Sequence, residues 1–390
     1  MSAPADVGVA TLSTALLARP APPKVAGRAT PVVRGPAIVR DPAVFFTDPN
    51  LNAQALFTVG AAGYGAAEYG EFATAVAAVH ASGDSYTAFY RAFRDLGLLT
   101  SRLGHEALDR GNRAAARGAF LRAASYLASS LYAAIGTPRP RRQAAAYRAM
   151  NQAWVRAAGL LEPAAEPVQI RCGPASLPGW LLRPAGAVRR RPTIIFSNGT
   201  DAQLIGLYVY GAAEAVALGY NALLFEGPGQ GSQLYLRGQG LRPDWEAVIT
   251  PVVDYLLGRP DVDPARIALV GWSQGGALAA RAAAFEHRLA GLVLDPGVSD
   301  PMAAFHLPGD LVTLARTQPG EADQAWAKIF ARLSASVRFS FTKASYPFRQ
   351  PVFSALVRAL AEYGTADWLP RITAPALVTQ YQGETAFPGQ

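Results

Sequence analysis

The residues with the plainest chemical purpose are Gly271-Trp272-Ser273-Gln274-Gly275. The apolar run Ile267-Ala268-Leu269-Val270 leads into them, and the small-residue run Gly276 to Ala284 leads out. Strand, sharp turn and helix form the setting in which G-x-S-x-G displays a serine hydroxyl at the tip of a strained turn. The flanking glycines are needed there because any side chain would clash as strand and helix close on each other. The amide of Gln274, at the helix start, then points to where negative charge would develop on an attacked carbonyl. The chemistry on offer is nucleophilic attack by Ser273.

Serine is a weak nucleophile unless a base takes its proton and an anion holds that base in the right tautomer. On a strand–turn–helix scaffold the chain order is serine, acid, histidine. Glu384 fits the acid, because it lies in the turn beyond the apolar run Pro375 to Tyr381. All four histidines precede it. His80 and His105 belong to an N-terminal helical region, and His287 ends the helix that follows the serine. His306 falls in a later helical segment, from which it could face the cleft and bind substrate. The general base is therefore expected beyond Gln390, with Phe387-Pro388-Gly389-Gln390 reading as the approach to a further helix. A protein without that histidine would keep only residual catalysis, on the order of 10³ to 10⁴ over water.

A second oxyanion donor is expected from the loop Ser197-Asn198-Gly199-Thr200-Asp201, where the amide of Gly199 or Thr200 could serve. Asp201 beside it could bind a substrate hydroxyl or orient the loop. Glu226-Gly227-Pro228-Gly229-Gln230-Gly231 carries glycines but no Walker lysine, and reads as a tight loop at the rim of the cleft.

The elements that must position these groups follow from periodicity. Residues 1–42, rich in Pro, Ala and Val, read as a flexible arm. Over 43–163 a helical lid is expected: Tyr86, Phe89, Tyr90 and Phe93 share one helical face, as do Phe120, Ala123, Ala124, Leu127 and Leu131. A further helix is expected over 142–160. From residue 164 to 390, short apolar runs alternate with helical ones. Strands are expected at 168–172, 180–182, 193–196, 220–225, 267–270 and 289–294, and helices at 204–217, 245–257 and 274–286. This alternation predicts an α/β architecture, a doubly wound and mostly parallel sheet. The helical stretch 301–365 interrupts it as a cap insertion would, and 375–381 resumes the sheet. The last strand and helix of that sheet are expected to be absent from the chain.

The bulk properties narrow the function class. The 390 residues are 51% hydrophobic and 16% charged, which describes a globular protein with a well-filled core. The net charge of +8 is carried by scattered arginines, since Lys24, Lys328 and Lys343 are the only lysines. No basic stripe with interleaved aromatics is present, so nucleic acid is not an expected partner. With Cys172 as the single cysteine no intrachain disulfide can form, and a cytoplasmic setting is expected. No apolar run approaches a membrane span. A small-molecule substrate is the expected partner, with no metal or organic cofactor. The sequence leaves the oligomeric state open, a homodimer being one state it allows.

Taken with Arg110-Gly111 through Tyr126, Asn198-Gly199-Thr200-Asp201, Gly227 to Gly231, Arg242-Pro243-Asp244-Trp245-Glu246 and Phe387 to Gln390, the serine motif resembles a branch of the α/β-hydrolases. That branch includes the fermentation-respiration-switch esterase-like proteins, the dihydroxypseudooxynicotine hydrolase and the fungal yellowish-green pigment polyketide hydrolyases. The resemblance implies an α/β-hydrolase fold under a helical N-terminal region. It also implies cleavage of an ester, or of a carbon–carbon bond next to a ketone, with Ser273 as nucleophile and Glu384 where the family usually has Asp. The apolar, aromatic lid suggests a hydrophobic or aromatic substrate, a polyketide being one such class. Two other readings stay open: a lyase or cyclase on the same scaffold, and a ligand-binding homologue without the triad histidine.

Overall fold

The computed structural model describes residues 44–138, 142–186 and 189–381. The expected arm over 1–42, Glu384 and the segment Phe387 to Gln390 lie outside the described residues. The described residues begin with helices: α1 (Pro49–Gly60), α2 (Tyr69–Ala81), α3 (Tyr86–Asp109), α4 (Arg113–Ala134) and α5 (Arg142–Leu160). Side-chain caps start the first four. Asp48 accepts from the amides of Asn50 and Leu51, Glu68 from Glu71, Ser85 from Ala88 and Asn112 from Ala115. Helix α1 was not expected from periodicity, although Asp48 followed by Pro49 is a local start signal. Tyr86, Phe89, Tyr90 and Phe93 are buried on α3, and Phe120, Ala123, Ala124, Leu127 and Leu131 on α4.

The sheet follows. Its strands are β1 (Glu166–Cys172), β2 (Ala175–Leu182), β3 (Arg191–Ser197), β4 (Asn221–Phe225), β5 (Val262–Trp272), β6 (Gly291–Asp295) and β7 (Ala376–Val378). Their spatial order is β1-β2-β4-β3-β5-β6-β7. The pairs β1–β2 and β2–β4 are antiparallel and all the others are parallel. This is the expected mostly parallel, doubly wound α/β sheet. Every residue of β4 is buried, as a strand covered on both faces requires.

Between the strands lie α6 (Leu204–Leu207), α7 (Ala213–Ala217), α8 (Gly231–Tyr235), α9 (Glu246–Leu257) and α10 (Gly275–Ala283). A single π-helical turn, Tyr208–Ala212, separates α6 from α7, so the expected helix over 204–217 is broken in its middle. Helix α10 is also shorter than expected: it ends at Ala283, and the chain turns so that Glu286 can accept from the backbone and side chain of Arg288. The insertion after β6 carries α11 (Gly309–Thr317), α12 (Pro319–Arg332), α13 (Ala335–Ser345) and α14 (Phe353–Ala361). Strand β7 is only three residues long, and all three are exposed.

Strand alternation divides the packing between two cores. Phe196, Ala222 and Leu224 join one core with α6, α7 and α3–α5, including the fully buried Trp154 and Phe120. Ile195, Leu223 and Phe225 face a second core with Trp245, Val252, Leu278 and Leu292. The N-terminal helices thus share a core with one face of the sheet. They also meet the insertion at α13: Phe339 stacks on Tyr86 at 3.9 Å, and Asn50 bonds Ser336 and Ser340.

Candidate active site

Ser273 has φ 57°, a left-handed conformation that a non-glycine residue adopts only when its surroundings hold it there. Two hydrogen bonds and a tight crossing do so. The Ser273 amide donates to the Asp295 carbonyl at 2.7 Å, and its carbonyl accepts from Gly276 at 2.8 Å. A Cβ on Gly271 would stand 2.2 Å from the Gly275 carbonyl oxygen, and one on Gly275 would stand 2.7 Å from that of Asn198. Neither position tolerates a side chain, so strand β5 and helix α10 can close the turn only with glycine at both.

The loop after β3 lies directly against this turn. A Cβ on Gly199 would be 3.0 Å from both the Gln274 amide nitrogen and Ser273 Cβ. Asn198 folds the loop on itself, with its Oδ1 accepting from the Gly199 amide at 2.8 Å and its Nδ2 donating to the Ala202 carbonyl. Gln230 grips the loop from behind: Nε2 donates to the carbonyls of Asn198 at 2.7 Å and Gly199 at 3.3 Å, while Oε1 accepts from Gly227 at 3.0 Å. The consequence for charge stabilisation is specific. The Gly199 amide is occupied by Asn198, whereas the amides of Thr200 and Gln274 donate to no group among the described residues. Because the two ends of a peptide unit point oppositely, holding the Gly199 carbonyl from behind turns the Thr200 N–H the other way.

The loop after β4 does not sit at a rim, as its glycines suggested. Gln230 and Glu226 are 2% and 4% exposed, and both are structural neighbours of the site. Glu226 accepts from Tyr147 of α5 at 2.8 and 2.9 Å, from the Ser232 amide at 2.8 Å and from the Ser232 hydroxyl at 2.6 Å. Burial pushes its carboxyl above the ordinary range, and the hydrogen bonds from Ser232 and Tyr147 pull against that shift.

Asp201 forms an ion pair that its sequence neighbours gave no sign of. Lys343 of α13 donates to Asp201 Oδ2 at 2.6 Å, and the same ammonium lies 5.3 Å from the centre of the Tyr132 ring on α4. Burial alone would lower the Lys343 pKa; the charge of Asp201, with Tyr132 and the hydrogen bond, outweighs it and holds the ammonium above its ordinary value. The Tyr132 phenol is pushed up to about 12 by burial, with Lys343 opposing. Thr200, Asp201, Lys343 and Tyr132 line a cavity of about 20 Å³ where α4, α5, the loop after β3 and α13 meet.

The histidines are dispersed. His80 pairs with Asp84 at 2.7 Å on the exposed side of α2, His105 stands edge-on to Phe120, and His287 Nε2 contacts the Ala284 carbonyl at 3.1 Å. His306 caps the short turn Pro301–Phe305 with φ 48°. One carboxylate that sequence reading missed is Asp295, 8% exposed at the end of β6. Its backbone holds Ser273, and its Oδ1 accepts from Thr379 and, at 2.6 Å, from Tyr381. Its position at the C-terminal end of the strand beside β5 was the available signal. Among the described residues no group of three or more His, Cys, Asp and Glu side chains is placed to hold a metal ion, and no helix is long and apolar enough to cross a membrane.

A model of the alpha/beta hydrolase family matches residues 194–387. Hydrolase ORFZ of Pyricularia oryzae is 31% identical over 354 residues, covering 86% of this chain and 82% of that protein. The alpha/beta hydrolase ucsC of an Acremonium species is 29% identical over 371 residues, 85% of this chain and 75% of the relative. The 20-hydroxy-prefusarin hydrolase of Gibberella moniliformis is 34% identical over 246 residues, and the chain spans 58% of its length. Among solved structures, that of the 2,6-dihydroxy-pseudo-oxynicotine hydrolase matches with a TM-score of 0.63 at 20% identity, covering 84% of this chain and 80% of its own.

Proposed function

The chain belongs to the α/β-hydrolase family, and we propose that it is a serine hydrolase acting on a hydrophobic or aromatic small molecule, a polyketide being the favoured class. Ser273 Oγ attacks the carbonyl of an ester, or of a ketone whose neighbouring carbon–carbon bond then breaks. The amides of Gln274 and Thr200 take up the charge on the carbonyl oxygen, with no rearrangement at the moment of attack. Collapse expels the leaving group and leaves an acyl group on Ser273, which water removes. Glu384 is the acid that orients the general base. Asp295 has a different part: it ties Thr379 and Tyr381, and so the approach to Glu384, to the strand beside the nucleophile.

The observation that carries this reading is the left-handed Ser273 with two unspent amides beside it. The relatives named as hydrolases support it. The test is a fluorophosphonate probe on the natural full-length protein. Label is expected on Ser273, and Ser273→Ala should lower turnover by about 10⁶-fold, with Glu384→Gln costing about 10⁴-fold. Substrate consumption without labelling would favour a lyase or cyclase on this scaffold, and neither labelling nor consumption would favour a ligand-binding role.

A further inference from the structure

We propose that Lys343 is a positioning residue for the attack on the carbonyl: through Asp201 it keeps the Thr200 amide facing the place where the oxyanion forms. This deepens the function proposed above and rests on its reading of Ser273 as nucleophile and Thr200 as donor. It adds a group from the insertion to a site otherwise built by the loops of the sheet.

The Thr200 amide needs restraint from both sides. Gly199 precedes it, and glycine lets the joining peptide turn more freely than another residue would. On that side the Gly199 carbonyl accepts from Gln230 Nε2 at 3.3 Å, a long hydrogen bond. The other side is held more closely. The Asp201 carbonyl accepts from Gln203 Nε2 at 3.1 Å, the Ala202 carbonyl from Asn198, and the Asp201 carboxylate from Lys343 at 2.6 Å. Of these donors only Lys343 comes from outside the loops that follow β3 and β4.

Lys343 is itself delivered by a seated helix face. Ser336, Phe339, Ser340 and Lys343 stand at three- and four-residue spacings along α13 and so share one side of it. Asn50 of α1 donates to Ser336 Oγ at 3.0 Å and accepts from Ser340 at 2.8 Å, while Phe339 stacks on Tyr86 of α3. The ammonium completes the row, meeting Asp201 and the face of the Tyr132 ring on α4. One helix side therefore joins three N-terminal helices to the loop that carries Thr200.

Stability alone does not explain the pair. The side chains of Lys343 and Asp201 are 26% and 29% exposed, and a half-buried ion pair gains little over the hydration it gives up. What it fixes is direction, because a carboxylate one residue past Thr200 is pinned to a rigid helix. Stabilising an oxyanion requires the donor to be aimed before the charge appears.

The test follows fluorophosphonate labelling of Ser273 in the natural full-length protein, separating the limiting rate from the half-saturating probe concentration. Lys343→Met and Asp201→Asn, each checked by thermal melting, should lower the limiting rate about ten-fold or more and move half-saturation less than about two-fold. The double variant should be no slower than the slower single one, since Lys343 acts through Asp201. Added n-propylammonium should return a large part of the rate to Lys343→Ala, and 1-propanol should not. An unchanged limiting rate in whichever single variant folds, losses that multiply in the double variant, or no rescue by the amine would each overturn the proposal. Failure of both single variants to fold would overturn it too, by making the pair a structural strut. If the wild-type protein does not label at all, the nucleophile assignment falls, and the amide resonance of Thr200 in protein carrying isotope-labelled threonine decides the rest. A shift of that resonance in Lys343→Met would keep the restraint standing, and an unmoved resonance would remove it.

Discussion

Gln230 shows how much of a hydrolase site can depend on a side chain that never meets the substrate. One carboxamide spans the Gly227 amide and the carbonyls of Asn198 and Gly199, and so fixes which way the Thr200 N–H faces. Gln230→Leu is expected to lower kcat by about 10²-fold while KM changes little, since the donor is misaimed and the pocket is intact. Gln230→Glu should be at least as damaging, because a carboxylate cannot donate to two carbonyls. Steady-state kinetics on both variants decides this, and an unchanged kcat would remove the clamp from the mechanism. The contrast with Ser273 explains what was legible at this scale. Ser273, Gln274 and the loop through Asp201 announce themselves because their constraint is local, written within five contiguous residues. Lys343 is 142 positions from Asp201, and nothing in its own neighbourhood marks it. Gln230 could be seen as part of a glycine-rich loop, but only tertiary packing shows that it faces inward.

At the scale of elements, helix α5 is tied to the sheet through Tyr147 and Glu226. Tyr147→Phe leaves a buried carboxylate with one donor fewer and should destabilise the protein by about 1–2 kcal/mol, read from denaturant unfolding. The pH dependence has a definite sign. Burial raises the Glu226 pKa above 4.5 in the folded chain, so the folded state holds that proton better than the unfolded state does. Its contribution to stability is greatest below about 4.5 and falls as pH rises through the folded value. Thermal melts of wild type and Glu226→Gln across that window should show wild type losing ground steadily with rising pH. A constant difference would contradict the raised pKa. Most elements could be read from periodicity, because α3, α4 and the strands of the parallel sheet bury one face or both. Those that were missed lack such a pattern. Helix α1 is marked by its cap and not by a stripe. The π-helical turn at Tyr208–Ala212 contains Gly211, where a Cβ would lie 2.8 Å from the Phe196 ring.

For the whole molecule, the distribution of the cores matters most. The five N-terminal helices are continuous with one side of the sheet, whereas α11, α12 and one face of α14 enclose a small core of their own around Leu311, Ala315, Ala322, Phe353 and Val357. Helix α14 lies between, because Leu356 and Leu360 belong to the core beneath the sheet. Hydrogen exchange should reflect this, with amides of α11 and α12 opening well before those of α3, α4 and α5, which should exchange only with the sheet. Equal protection throughout would show a single rigid body.

The shared core between the first helices and the sheet also decides where the protein can change. Reshaping the cavity beside Thr200 and Asp201 from the α4–α5 side disturbs the same packing that keeps β3 and β4 folded. The outer helices α11 and α12 carry no such burden. Selection for new substrates, natural or in the laboratory, should therefore accumulate its substitutions in that outer pair, leaving the first five helices nearly fixed.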